Sequence, residues 1–265
     1  MHYYKIEQLH PWLYTIFDPL NVYCYLIVGT RRALLFDTCH GVTSLDAVVR
    51  GITDLPYDVV LSHGHWDHTA GAYEFDNVWL HPGDAELCLR GFNQQTRENI
   101  LTWYEDQIRA VLPDFDRNLY LHCDRAIELM PLKHWQTFDL GGITVQMIPM
   151  DGHTPGSVGA LIKEHRFLLD GDAANSHQWM FLEDSLKMPV YIEMLKRTAA
   201  LDFDNFMMSH SQEIFSKTLF EKYIHVAQNI DIKKSTPYDY KFDTLGGYLY
   251  EEDGVGIVFD PKRLS

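Results

Sequence analysis

His63, His65, Asp67 and His68 stand in the segment Ser62-His63-Gly64-His65-Trp66-Asp67-His68, so four side chains able to ligate a metal fall within six positions. On a strand, His63, His65 and Asp67 would share one face and His68 would point away. On a helix the four would scatter around the axis, unlike the paired histidines of an HExxH motif. An irregular loop wrapped around two ions uses all four. Imidazole and carboxylate ligands suit zinc, with iron or manganese as workable substitutes. The chemistry such a loop implies is metal-assisted hydrolysis.

Three more segments carry the same residue types. Asp151-Gly152-His153-Thr154-Pro155-Gly156-Ser157 follows a strand expected at 143–148, and Leu169-Asp170-Gly171-Asp172 one at 166–169. Ser209-His210-Ser211 follows a strand expected at 206–208. Strand ends let side chains converge while the sheet holds them. With the cluster, His153, Asp172 and His210 bring the candidate ligands to seven.

The elements that must position these residues read as alternating strands and helices. Residues 23–28 and 33–36 read as strands joined by a Gly29-Thr30-Arg31 turn. A helix is expected over 44–51, a strand at 59–61 feeding the His cluster, another at 78–80, and a helical start at 82–84. Ile100, Leu101, Tyr104, Ile108 and Val111 recur at helical spacing, and 90–136 reads as an inserted, largely helical cap. Residues 159–162 and 166–169 read as a hairpin turning at Lys163-Glu164-His165. Helices are expected at 190–200 and 217–228, and a closing hairpin at 247–250 and 254–259 turns at Asp253-Gly254. This order suggests α/β layers with helices outside.

The HxHxDH motif at His63, His65, Asp67 and His68, the GHTPGS motif around His153, the GD at Asp172 and the late His210 follow one another over residues 37–210. In kind and order they resemble the metallo-β-lactamase-fold hydrolase superfamily. The resemblance implies a four-layer αβ/βα sandwich with a helical insertion, as a single domain over 1–265. It implies that His63, His65 and His153 bind one metal, that Asp67, His68 and His210 bind a second, and that Asp172 bridges both. Two ions about 3.5–4 Å apart can share a water-derived hydroxide, each lowering the pKa of bound water toward about 7. That hydroxide would attack an ester-like carbonyl (ester, thioester or lactone), with Asp67 or a bound water passing protons. Asp37 matches the family's first Asp. It is expected either to orient a ligating histidine or to serve as a strand-end turn residue.

Other candidates are weaker. Trp66 is expected to pack beneath the metals and His81 to be structural. His177 and Trp179 follow Asp172 closely and would either line the pocket or lie exposed. Phe92, Trp103, Tyr104 and Trp135 could form an apolar substrate wall, although helix packing explains Tyr104. His2, His10, His40, His122, His134, His165 and His225 show no ligand spacing.

Composition narrows the function classes. The 265 residues are 46% hydrophobic and 22% charged, ordinary for a globular chain of one large or two small domains. The net charge of −15, with no basic stripe beyond Arg31-Arg32 and Lys233-Lys234, disfavours nucleic acid. No 18-residue apolar stretch or signal-peptide pattern is present, and Cys24, Cys39, Cys88 and Cys123 lack CxxC spacing. The expectation is a cytoplasmic protein with reduced thiols, no membrane span and a small-molecule substrate, anionic ones included. Within the superfamily the ligand set is most similar to glyoxalase II, without that enzyme's helical C-terminal domain. Asn175 stands where known acyl-homoserine lactonases carry Tyr, which weakens that assignment. A phosphodiesterase with the same two-metal site is the alternative hydrolase. A mononuclear iron sulfur dioxygenase is the alternative from another class.

Overall fold

A run of strands, each paired to its sequence neighbour, builds the first half of the chain. The computed structural model describes residues 3–122, 126–240 and 246–265. His2 and Cys123 lie outside them. The chain divides into two compact units, Met1–Val145 and Gln146–Ser265.

In the first unit the elements are β1 (Lys5–His10), β2 (Leu13–Asp18), β3 (Val22–Val28), β4 (Ala33–Phe36), α1 (Leu45–Ile52), β5 (Tyr57–Val60), α2 (Trp66–Thr69), β6 (Asn77–Leu80), α3 (Ala85–Gly91), α4 (Gln94–Val111), α5 (Arg117–Leu121), β7 (Glu128–Pro131) and β8 (Thr137–Asp139). Strands β1 to β7 form one sheet in sequence order. Hairpins make β1 to β4 antiparallel. From β4 onward helices intervene, and β4 to β7 run parallel, as helical crossovers require.

The helices have local causes. Ser44 caps α1 by accepting from the Ala47 amide, and Leu45 and Val49 bury one face. Asn93 caps α4 by accepting from Thr96, and its buried residues Ile100, Leu101 and Ile108 follow the helical repeat. These three join Leu26, Leu35 and Val59 in the unit's core, each burial stabilising by about 1.5–3 kcal/mol. Within the segment 90–136, residues 94–121 are thus mainly helical. The end of that segment differs: β7 is an edge strand of the sheet.

The second unit holds β9 (Thr144–Pro149, which begins at the division), β10 (Val158–Ile162), β11 (Phe167–Leu169), β12 (His177–Met180), α6 (Met188–Ala199), β13 (Asn205–Met207), β14 (Phe215–Ser216), α7 (Leu219–Gln228), β15 (Thr236–Asp239), β16 (Gly246–Glu252) and β17 (Val255–Phe259). One sheet runs β14-β13-β11-β10-β9 and another β12-β17-β16-β15. The β16–β17 hairpin turns on Asp253 and Gly254 with φ of 53° and 80°, the positive angles that a two-residue Asp-Gly turn needs. Tyr191, Met194 and Leu195 of α6 and Phe220, Tyr223 and Val226 of α7 pack with Leu168, Phe206 and Phe259 in the core.

Candidate metal centre

The parallel pairing of β4 and β5 brings Phe36 opposite Val60. The residues that leave those strand ends, Asp37 and Leu61-Ser62-His63, therefore emerge side by side. Asp37 is fully buried and takes a left-handed backbone at φ 69°. One of its oxygens accepts from the Ser62 amide at 2.6 Å, and the other from the Ser62 hydroxyl at 2.8 Å and from His68 Nδ1 at 2.9 Å. Ser62 Oγ has spent its proton on Asp37, so it accepts from His63 Nδ1 at 2.9 Å. A single carboxylate thus fixes the tautomer of two histidines, His68 directly and His63 through Ser62. In both neutral rings the lone pair is left on Nε2, the pattern of ligating histidines held from behind.

His63 Nε2 lies 3.0 Å from His65 Nδ1. Two nitrogens on one tetrahedral zinc stand about 3.3 Å apart, given metal–nitrogen bonds of about 2.0–2.1 Å. The spacing fits a shared ion. Next in the chain, α2 carries Asp67 and His68 in a single turn, with His68 Nε2 at 3.5 Å from Asp67 Oδ2. The two pairs of the cluster stay close: the His63 and His68 rings are 4.2 Å apart between centroids. Gly64 makes the loop possible. Its amide donates to buried Asp84 Oδ2 at 2.9 Å, and a Cβ there would sit 2.9 Å from the Asp84 carbonyl oxygen.

In the second unit β11 and β13 are parallel, with Leu169 opposite Met207. Asp172 and His210 stand equally far beyond those paired ends. Asp170 N donates to Met207 O at 3.1 Å and Ser209 N to Gly171 O at 3.0 Å, which ties the two loops. Asp172 Oδ2 lies 3.2 Å from His210 Nε2 and 3.7 Å from His153 Nε2. One carboxylate oxygen therefore faces two imidazoles. His153 is 2% exposed, and its Nδ1 must donate to the Trp179 carbonyl at 2.8 Å, since a carbonyl only accepts. Its Nε2, like those of His63 and His68, keeps the lone pair.

Burial, and next the charge of Asp172, raise the Asp170 carboxyl well above the carboxylate range. Both Asp170 oxygens are buried with no hydrogen-bond partner among the described residues.

All seven predicted ligands lie in two tight clusters, four in the first unit and three in the second. The donor set, imidazole nitrogens (those of His63, His68 and His153 held from behind) and carboxylate oxygens, fits divalent zinc. The substrate candidates fare differently. His177 is exposed on β12 and its Nε2 lies 3.0 Å from Glu251 Oε1. Trp179 packs edge-on with Phe181 at 5.9 Å and Tyr240 at 5.2 Å, and its carbonyl meets His153 Nδ1. Trp103 is half-buried on α4, 5.7 Å from the Trp66 ring. The structural role read for His81 agrees with its Nδ1 accepting from the Gly83 amide and its ring stacking on His134 at 4.2 Å.

Sequence reasoning missed Ser62, although it adjoins the cluster, and Asp84, which lies 20 residues beyond Gly64. It also missed the partner of His40. Both residues of that pair are buried, with His40 Nδ1 at 3.1 Å from Asp18 Oδ2. The His40 ring lies 5.3 Å from Trp66, beneath the ligand loop.

The family model of the metallo-β-lactamase superfamily matches residues 17–210. Among curated proteins, the acyl-coenzyme A thioesterase MBLAC2 of Bos taurus is 28% identical over 162 residues, 56% of this chain and 56% of that protein. The chain thus spans about half the length of the curated relatives it matches. Among solved structures, a metallo-β-lactamase from Pontibacter korlensis superposes with a TM-score of 0.61 at 14% identity, covering 86% of this chain and 100% of that one. A metallo-β-lactamase family protein from Thermus thermophilus gives 0.57 at 20% identity, covering 83% and 81%. These structural likenesses show a shared mixed α/β fold. The matched span holds every candidate ligand from His63 to His210, and on that evidence the chain belongs to the metallo-β-lactamase superfamily.

Proposed function

We propose that this chain is a metal-dependent hydrolase of a small-molecule acyl substrate, a thioester first among esters, thioesters and lactones. In this reading the two units serve one functional domain over 1–265. His63, His65 and His153 hold one divalent ion, Asp67, His68 and His210 a second, and Asp172 is shared. Zinc is the simplest choice of metal, with iron or manganese as substitutes. When bound, the ions would supply hydroxide at neutral pH and polarise the carbonyl under attack.

The observation that carries two ions rather than one is Asp172, whose Oδ2 faces both His153 and His210. Behind the ligands, Asp37 and Ser62 hold His68 and His63 so that their Nε2 lone pairs point away from the core network. Asp67, partly exposed in its short helix, can accept a proton and release it to the leaving group. Trp103, beside Trp66, offers an apolar surface on α4 for a substrate chain. His177 and the Trp179 ring, proposed from sequence as contacts, are engaged with Glu251 and with Phe181 and Tyr240. Support for the thioester comes from the curated relatives named as acyl-coenzyme A thioesterases. The cytoplasmic reading rests on buried free thiols at Cys24, Cys39 and Cys88. Among the described residues no helix is long and apolar enough to cross a membrane.

The test is a panel of an acyl-coenzyme A thioester, a lactone, a bis-aryl phosphodiester and a cephalosporin, with zinc-loaded protein. The expected result is fastest turnover of the thioester. Preference for the phosphodiester would select the alternative hydrolase. One iron per chain with oxygen uptake would replace hydrolysis by dioxygenase chemistry.

A further inference from the structure

Asp172 and His153 sit on loops, and two buried phenols grip those loops from the helices behind. Tyr191, on α6, is fully buried and donates its hydroxyl to the Ala173 carbonyl at 3.1 Å. Its ring also closes against Gly152: a Cβ on that glycine would lie 2.7 Å from Tyr191 Cδ2. A single side chain therefore touches the residue before His153 and the residue after Asp172. Tyr223, on α7, is 1% exposed and donates to the Asn175 carbonyl at 2.7 Å, with the Ala174 carbonyl at 3.2 Å.

Three consecutive carbonyls after Asp172 are thus met by hydroxyls from two helices. The same segment then turns back to His153. Asn175 N donates to Gln178 Oε1 at 2.9 Å, and the Trp179 carbonyl accepts from His153 Nδ1 at 2.8 Å. The path from Tyr191 through Ala173, Asn175, Gln178 and Trp179 to His153 and Gly152 closes on itself. Apolar packing needs only the rings, because phenylalanine would fill the same space. The hydroxyls serve the backbone that carries the ligands. Burial raises both phenols far above their ordinary range, so each remains a donor throughout the pH range of folded proteins.

We propose that Tyr191 and Tyr223 are positioning residues for the metal centre, setting Asp172 so that one carboxylate oxygen serves both His153 and His210. The proposal rests on the reading of Asp172 as the shared ligand. Groups that orient ligands from behind typically contribute about 10–100-fold in metal affinity when removed.

The experiment compares Tyr191→Phe and Tyr223→Phe with wild type. Tyr250→Phe is the control, since that buried phenol of the same core bonds Glu252 Oε2 instead, at 2.8 Å. Zinc affinity is read by competition with a chromophoric chelator, and apoprotein thermal unfolding is recorded beside it. The expected result is zinc binding weakened about 10–100-fold in each of the first two variants and unchanged in Tyr250→Phe. Wild-type affinity in both, or an equal loss in Tyr250→Phe, would reduce the phenols to core filler. If Asp172→Ala binds zinc as wild type does, the shared-ligand reading itself fails, and the positioning role fails with it. The two failures are distinguishable, because the first leaves Asp172→Ala defective.

Discussion

At the scale of single residues, the centre depends on acids placed where water cannot reach them. Asp37 holds two histidines, and Asp18 holds His40 below the ligand loop. Burial raises the Asp18 carboxyl, but the charge of His40 and its hydrogen bonds, with those from Leu20 N and Tyr3, outweigh burial and hold it below its ordinary value. A carboxyl lowered on folding contributes stability that is fully present above its unfolded pKa of about 3.9. That contribution is lost as pH falls through the folded value. Urea unfolding of wild type against Asp18→Ala is therefore expected to differ by about 3–5 kcal/mol near pH 6. The gap should narrow below about pH 4. A gap independent of pH would show that the pair contributes packing and not charge. The four candidate ligands of the His63–His68 segment stand out by spacing alone, and the structure keeps them close. His40 does not stand out, because its partner lies 22 residues away on a strand end and no spacing rule joins them.

At the scale of elements, parallel pairing does the positioning. The ends of β4 and β5 deliver Asp37 and His63, and those of β11 and β13 deliver Asp172 and His210. Gly64 shows how little room the first loop has. Alanine there meets the Asp84 carbonyl oxygen and Leu87 Cγ, both at 2.9 Å, and backbone does not yield cheaply. Gly64→Ala is expected to cost about 1–3 kcal/mol and to lower zinc occupancy, read by thermal unfolding and metal analysis. Unchanged unfolding and full occupancy would contradict the tight loop. The strands bearing the ligands were legible because they are short apolar runs ending in His or Asp. Others were hidden for physical reasons. Both β7 and β15 contain proline, which only an edge position tolerates, and β1 is an exposed edge strand without clean alternation. In β12 the buried face carries Gln178, whose side chain is fully buried and accepts from Asn175, so polarity masked the pattern. With β12 unread, the bond between the Trp179 carbonyl and His153 Nδ1 could not be anticipated. Tyr191 and Tyr223 look in sequence like ordinary helix-face aromatics, and only the fold shows what their hydroxyls meet.

At the scale of the whole molecule, the chain is acidic, with a net charge of −15. The family match ends at residue 210, so α7 and β15 to β17 lie beyond it, and Tyr223 reaches back from there to the Asp172 loop. Seven residues are proposed to hold two ions, with Asp172 joining them. The most direct measurement is the zinc content of purified, zinc-equilibrated protein, wild type beside Asp172→Ala, with thioester hydrolysis recorded on the same samples. Wild type is expected to hold about two zinc per chain. Asp172→Ala is expected to hold one or fewer, with hydrolysis down at least about 100-fold. Two zinc and undiminished hydrolysis in Asp172→Ala would contradict that proposal.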